Sequence, residues 1–187
     1  VNESELNAFF EGERDFDVTA WMGEFLGPVH PNLMWEFGPG SIHPHRLTIT
    51  PETDRHLRPL VQTVLERAPE SAYFDFSAFR PAESPASCRE SVLARTRHPL
   101  AFDHVEVVAG ESNRVDVVGV FPRGYPNGDE DLAMHQTFVM IETLLGEEML
   151  DSWVGNIDVA MSSPGKNAVS LSGFPGRFAA VRQEIVE

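Results

Sequence analysis

The chain has 187 residues, of which 42% are hydrophobic and 10% aromatic, a length and composition typical of one globular domain with an ordinary core. Its 29 acidic residues outweigh 14 basic ones, and the resulting charge of −15 repels phosphate backbones and anionic lipids. Nucleic acid and membrane partners are therefore not expected, and no stretch approaches the roughly 20 apolar residues of a membrane-spanning helix. The single cysteine cannot form an intrachain disulfide, which favours a cytoplasmic location.

Helical periodicity marks the first thirty residues, and strand-like alternation follows. Ser4 is predicted to cap a short first helix. The buried stripe of a second helix repeats at helical spacing: Val18, Trp21, Met22, Phe25 and Leu26. Residues 32–37 and 46–50 alternate apolar and polar side chains, which predicts two antiparallel strands joined by "GPGSIHPH". Gly38 and Gly40 are expected to adopt positive φ in that connection.

A third helix and a third strand are predicted next. Thr50 is a candidate N-cap, and Pro59 requires that the regular helix begin close to His56 or bend at the proline. The alternation in "AYFDFSAF" predicts a strand, and residues 86–96 fit a short helix.

The second half of the chain contains the clearest hairpin pattern. Residues 104–109 and 114–121 are two β-branched runs joined by a polar turn, with Val105 and Val107 expected inward and Glu106 outward. Acidic residues 129–131 favour the start of a long helix. Its stripe is predicted to be Met134, Phe138, Ile141 and Leu145. "WVGNIDVAM" predicts a last strand, and Pro175 a C-terminal helix.

Helices grouped with hairpins, without strict strand–helix alternation, favour an α+β fold. We expect residues 1–187 to form a single domain, in which helices cover mostly one face of a mixed or mainly antiparallel sheet. Trp35 and Phe138 are expected to be core positions, one on a strand and one on the long helix.

A resemblance covers most of the chain. "HPNLMWEFGPG", "HRLTIT", "LRPLV" and "LLGEEMLDSWVGNIDV" resemble a bacterial protein family, a domain of unknown function, with a His-Pro-x-Leu-x-Trp-Glu-x-Gly-Pro motif. The resemblance implies a shared fold. It implies no activity and no catalytic residues.

Four histidines lie in one stretch: His30, His43, His45 and His56. Neutral imidazole is the commonest protein metal ligand, so one hypothesis is a metal site formed by His30, His43 and His45 with Glu36. The other is that the histidines are loop and surface residues and that His30 caps a turn. We favour the second, because no cysteine, HExxH or regular carboxylate spacing completes a ligand set.

Three carboxylates alternate with apolar strand residues: Glu36, Asp75 and Glu106. They form either an acid–base pair in a cleft or, more typically for such sheets, part of one solvated face. "GPGSIHPH" and "SSPGKN" lack the order of a phosphate-binding loop and are interpreted as turns.

Cys88 lies close in sequence to Arg89, Arg95 and Arg97, and positive neighbours lower the pKa of a thiol. No nucleophile signature surrounds it, so we interpret it as an incidental thiol.

The sequence contains no complete catalytic, cofactor or metal set. We therefore expect a non-enzymatic cytoplasmic domain that contacts a protein or a small molecule and needs no cofactor. The alternative is a metal-dependent, hydrolase-like enzyme that uses the histidine cluster at residues 30–56.

Overall fold

The computed structural model describes residues 2–125 and 129–187. It contains two compact units, unit 1 (Val1–Arg80) and unit 2 (Pro81–Glu187). The helices of unit 1 are α1 Glu3–Phe10, α2 Val18–Leu26 and α3 Arg58–Leu65, and its strands are β1 Met34–Pro39, β2 His45–Thr50 and β3 Phe74–Ser77.

The helices of unit 1 begin at residues other than the predicted caps. Asn2, not Ser4, caps α1: its side chain accepts from the Glu5 N–H, and the Glu5 carboxylate accepts from the Asn2 N–H. Before α3, Asp54 caps a short 3-10 turn, so the N-cap prediction at Thr50 is wrong. Pro59 falls in the first turn of α3, where a missing N–H costs little, and no kink is needed.

The three strands of unit 1 form one mixed sheet in the order β1-β2-β3. β1 and β2 are antiparallel, with Trp35 opposite Ile49, which confirms the predicted chain reversal. β2 and β3 are parallel and are joined through α3, a pairing that the sequence pattern does not specify. Five residues, 40–44, make the connection between β1 and β2.

One face of this sheet carries the apolar core of unit 1. The buried members of the core are Met22, Leu26, Leu33, Ile49 and Val61. Trp35 packs against this cluster on β1 but is only partly buried, so it lies at the margin of the predicted core.

The helices of unit 2 are α4 Pro85–Thr96, α5 Glu130–Leu145, α6 Glu147–Trp153 and α7 Phe174–Val186. Its strands are β4 His104–Ala109, β5 Val115–Phe121, β6 Val154–Met161 and β7 Ala168–Ser170. Neither α6 nor β7 is predicted from the sequence. Trp153 ends α6, where the sequence analysis expects it to begin the last strand.

The strands of unit 2 form a mixed sheet in the order β6-β5-β4-β7. The β4–β5 hairpin is confirmed as antiparallel, with Val105 and Val107 fully buried and Glu106 half-buried. β6 pairs parallel to β5, and β7 antiparallel to β4. Apolar side chains from this sheet and from α4, α5 and α7 form one large buried cluster.

The buried surface of α5 is wider than its predicted stripe. Met134 and Phe138 are half-buried, while Ala133, Met140 and Ile141 are fully buried. The helix is covered on most sides toward its C-terminal end, where a narrow stripe no longer identifies the inward residues. Phe138 therefore lies at the margin of the core.

The α+β class and the mixed pairing of strands are confirmed, with the strands divided between two sheets. That residues 1–187 form one domain stays a prediction. Within residues 2–125 and 129–187, no helix is long and apolar enough to cross a membrane.

Candidate functional site

The loop at residues 40–44 of unit 1 is held by one carboxylate. Asp75 Oδ2 accepts from the Ser41 N–H at 2.6 Å and from the Ile42 N–H at 2.9 Å, and Oδ1 lies 3.3 Å from the donating His43 N. The Ser41 hydroxyl is a further donor at 3.2 Å. Asp75 lies on β3, opposite Arg46 in the parallel register, so the strand places its side chain beside the end of β2. The loop geometry thus depends on a residue from another strand.

Gly40 allows this close approach. A Cβ there would lie 2.8 Å from the Asp75 carboxylate and would overlap the His43 carbonyl. Gly38 and Gly40 are absent from the glycines with positive φ, so that prediction is wrong. Glycine is required at position 40 because there is no room for a side chain, and not because of the backbone angles.

The same carboxylate fixes the side chain of His43. Asp75 Oδ1 lies 2.7 Å from His43 Nδ1. The Ile42 N–H, and then the His43 side chain and other loop N–H groups, hold the pKa of the Asp75 carboxyl well below its usual range, although burial opposes them. An ionised carboxylate only accepts, so Nδ1 carries the proton of a neutral His43 and Nε2 is its acceptor.

His43 and Asp75 line an open cavity of about 690 Å³, here called the loop cavity. Its polar lining residues are Ser41, His43, Glu70, Ser71 and Asp75. Its apolar lining residues are Ile42, Leu65, Ala68, Pro69, Phe74 and Phe76. The side chain of His43 is 33% exposed, which leaves the imidazole accessible to a ligand.

A smaller apolar cavity of about 220 Å³, here called the aromatic cavity, shares four lining residues with the loop cavity: Pro69, Ser71, Phe74 and Phe76. Its other apolar lining residues are Leu6, Trp21, Phe37 and Leu47, and its other polar ones are Asn2 and Glu3. Phe37 and Phe74 meet with ring centroids 6.1 Å apart at 69°, so these rings form walls at an angle. Polar groups in one cavity thus adjoin aromatic walls in the other.

The other histidines of the proposed metal set have separate partners. His30 Nδ1 accepts from the Asn32 N–H at 3.2 Å, which confirms that His30 caps a turn. His45 begins β2 and packs between Phe10 and Phe74, with ring centroids 5.0 and 5.2 Å away. Its Nε2 lies 3.0 Å from Asn7 Oδ1. His45 is therefore a packed residue, and its interpretation as an exposed loop residue is wrong.

Glu36 lies on the opposite face of the sheet from His45 and pairs with arginines. Its Oε2 accepts from Arg80 Nε at 2.8 Å, and its Oε1 lies 4.0 Å from Arg46 Nη2. Arg80 also pairs with Glu52 at 3.2 Å. His30, His43, His45 and Glu36 are not brought together, and no group of three or more metal-ligating side chains occurs in the part of the chain that the structure describes.

Cys88 is fully buried in the core of unit 2. Burial raises the pKa of its thiol to about 11, and the nearby charge of Arg89, which acts in the opposite direction, is the smaller influence. A protonated, inaccessible thiol is a poor nucleophile, which supports the interpretation of Cys88 as incidental.

The hydrogen bonds by which Asp75 holds the loop at residues 40–44 are here called the Asp75 clamp, and this feature is not predicted from the sequence. Asp75 is singled out there only as a carboxylate on the polar face of a strand, and Glu36 and Asp75 have different partners in the structure. The available signal is a glycine-rich loop that contains a histidine, together with a later strand that carries an aspartate between two phenylalanines. Nothing local connects the two, because they are 32 residues apart in the chain.

Comparison of the chain with family models, with curated proteins and with solved structures finds no match. The resemblance to a bacterial family stays a prediction.

Proposed function

We propose that this protein is a non-enzymatic cytoplasmic binding domain in which unit 1 binds a small molecule. The ligand places an apolar part in the aromatic cavity and a hydrogen-bonding part in the loop cavity. The observation that carries the proposal is the His43 imidazole, which Asp75 orients at the wall of an open cavity beside an aromatic one.

The chemistry of this wall suits recognition of a polar group. With Nδ1 committed to Asp75, the Nε2 atom of a neutral His43 accepts a hydrogen bond from a ligand O–H or N–H. Ligand sites typically combine apolar and aromatic walls with a few polar groups that fix orientation. The two adjoining cavities contain both parts.

The same geometry favours binding over catalysis. The Ser41 hydroxyl donates to Asp75 and not to the His43 imidazole, so the general base and a nucleophile are not joined there. Cys88 belongs to unit 2 and its thiol is buried.

A fragment screen by saturation-transfer NMR tests the proposal. We expect fragments with an aromatic ring and a hydrogen-bond donor to bind saturably. His43→Gln should weaken them by about three- to tenfold, the usual effect of losing one hydrogen bond. His56→Gln is the matched control, because His56 is exposed and lines neither cavity. Absence of saturable binding, or equal binding by the wild type and His43→Gln, would overturn the proposal.

Elemental analysis tests the alternative of a metal-dependent enzyme. His30, His45 and Glu36 already have partners in different places, so we expect no stoichiometric transition metal after supplementation with zinc. One bound metal ion per chain, lost in His43→Gln, would support the enzyme instead.

A further inference from the structure

The charged groups around the two cavities of unit 1 are mostly of one sign. Glu70 and Asp75 line the loop cavity and Glu3 lines the aromatic cavity. No lysine or arginine is among the described lining residues of either cavity. A cationic ligand is attracted by these carboxylates, while an anionic ligand is repelled.

The walls of the aromatic cavity add a second attraction for a cation. Trp21, Phe37, Phe74 and Phe76 supply four rings around a volume of about 220 Å³. An ammonium group near the face of such a ring is attracted by the negative face of the π system. The volume is below the roughly 300–1,000 Å³ of drug-sized pockets, which suits a fragment-sized ligand.

The Glu3 carboxylate is held at this cavity by Ser71. The Ser71 oxygen accepts from the N–H groups of Tyr73 and Phe74 at 3.1 and 3.0 Å, and its own proton is donated to Glu3 Oε2 at 2.6 Å. Two oxygens of an ionised carboxylate together accept several hydrogen bonds, so the bond from Ser71 leaves acceptor capacity for an ammonium group. Glu3 is therefore an oriented anion beside aromatic walls.

We infer that the ligand of unit 1 is a small organic cation, an ammonium group attached to an apolar or aromatic body. The inference rests on the small-molecule function proposed above. The ammonium group pairs with Glu3 at the cavity wall, and the body lies against the aromatic rings.

Three probes of similar shape and different charge test the inference by isothermal titration calorimetry at pH 7: phenethylamine, phenethyl alcohol and hydrocinnamate. We expect the amine to bind about tenfold more tightly than the alcohol, from one ion pair and one cation–π contact. We expect the anionic hydrocinnamate to bind more weakly than both.

Glu3→Gln removes the charge and keeps an acceptor for Ser71. It should weaken the binding of phenethylamine by about fivefold and change the affinity for phenethyl alcohol by no more than about twofold. Glu13→Gln is the control, because Glu13 is exposed and lines neither cavity.

The outcomes separate this inference from the proposed function. If the alcohol or the anion binds as tightly as the amine, the ligand is not a cation, while small-molecule binding stands. If none of the three probes binds, the inference is overturned, and the fragment screen judges the proposed function by itself. Equal weakening of the amine by Glu3→Gln and Glu13→Gln also overturns the inference, because the charge effect would then be general.

Discussion

Unit 1 and unit 2 differ in how deeply their aromatic side chains are buried. In unit 1, rings such as Phe10 and Phe37, whose centroids lie 4.9 Å apart, are only partly buried. In unit 2, β-branched residues such as Val105, Val107 and Val117 are fully buried between sheet and helices. The rings of Phe121, Phe174 and Phe178 are fully buried in the same cluster, so the apolar interior of unit 2 excludes solvent more completely than the aromatic side of unit 1.

On the function proposed above, the two units have separate roles. The aromatic and loop cavities both belong to unit 1, and the larger of the two apolar clusters belongs to unit 2. A cavity lowers stability because the atoms that line it lose van der Waals contacts. The two cavities of unit 1 therefore cost it some stability. We interpret unit 2, which contains the larger apolar cluster, as the scaffold, and unit 1 as the unit that carries the proposed binding site.

The largest expected effect is the loss of a ring from the core of unit 2. Phe121 is fully buried, with the rings of Phe102 and Tyr125 at 4.4 and 4.8 Å. Phe121→Ala should lower the free energy of unfolding by about 3–5 kcal/mol, because it leaves a large cavity. Trp35→Ala in unit 1 should cost roughly 1–3 kcal/mol, since Trp35 is only partly buried. Urea titration followed by circular dichroism measures both, and equal losses would contradict the difference in packing.

The next largest expected difference between the units is the loss of stability when a leucine is enlarged to phenylalanine. Leu144 is 2% exposed in unit 2, so Leu144→Phe should cost about 1–3 kcal/mol by overpacking. Leu47 lines the aromatic cavity, and Leu47→Phe adds atoms to open space. We expect its effect on the free energy of unfolding to stay within about 0.5 kcal/mol. A loss of similar size at the two positions would show that the aromatic cavity does not accept a larger side chain.

The Asp75 clamp on the loop at residues 40–44 predicts that the stability of the protein depends on pH. The pKa of Asp75 is lowered in the folded protein, so its stabilising contribution is complete above the ordinary aspartate pKa of about 3.9 and is lost as the pH falls toward the lowered value. Asp75→Asn should therefore lower the Tm at pH 7, and the difference from the wild type should shrink below about pH 4. Asp15→Asn, at an exposed position, is the control. A Tm difference between Asp75→Asn and the wild type that stays constant from pH 7 to pH 3 would contradict a stabilising role of the ionised Asp75 carboxylate.

These predictions depend on features that differ in how far the sequence specifies them. The β4–β5 hairpin is predictable because its alternation and its turn are local, and a one-residue shift in register would turn Val105 and Val107 outward. The same holds for the reversal after β1, where Trp35 and Ile49 have to share the apolar face. Periodicity identifies elements whose partners are neighbours in sequence.

The candidate site depends on pairings over longer distances. The parallel β2–β3 register places Asp75 beside the loop, and Asp75 and Ile42 are separated by 33 residues. His45 illustrates the same limit: the proline before it indicates a loop, but packing by Phe10 and Phe74 makes it a buried-face strand residue. The alternation of β3 shows that Asp75 and Phe76 face opposite ways. It does not show what each one meets.

The smallest expected effect is the absence of a reaction in unit 2. Cys88 is fully buried and burial raises the pKa of its thiol to about 11, so at pH 8 the thiol is almost entirely protonated. The thiolate is the reactive form, and reagent also has to reach it. Folded protein should therefore not react measurably with a thiol reagent such as dithionitrobenzoate, while the chain unfolded in urea should release one equivalent, from its single cysteine. Rapid reaction of the folded protein would show that the core of unit 2 opens readily. The interpretation of unit 2 as the scaffold would then be contradicted.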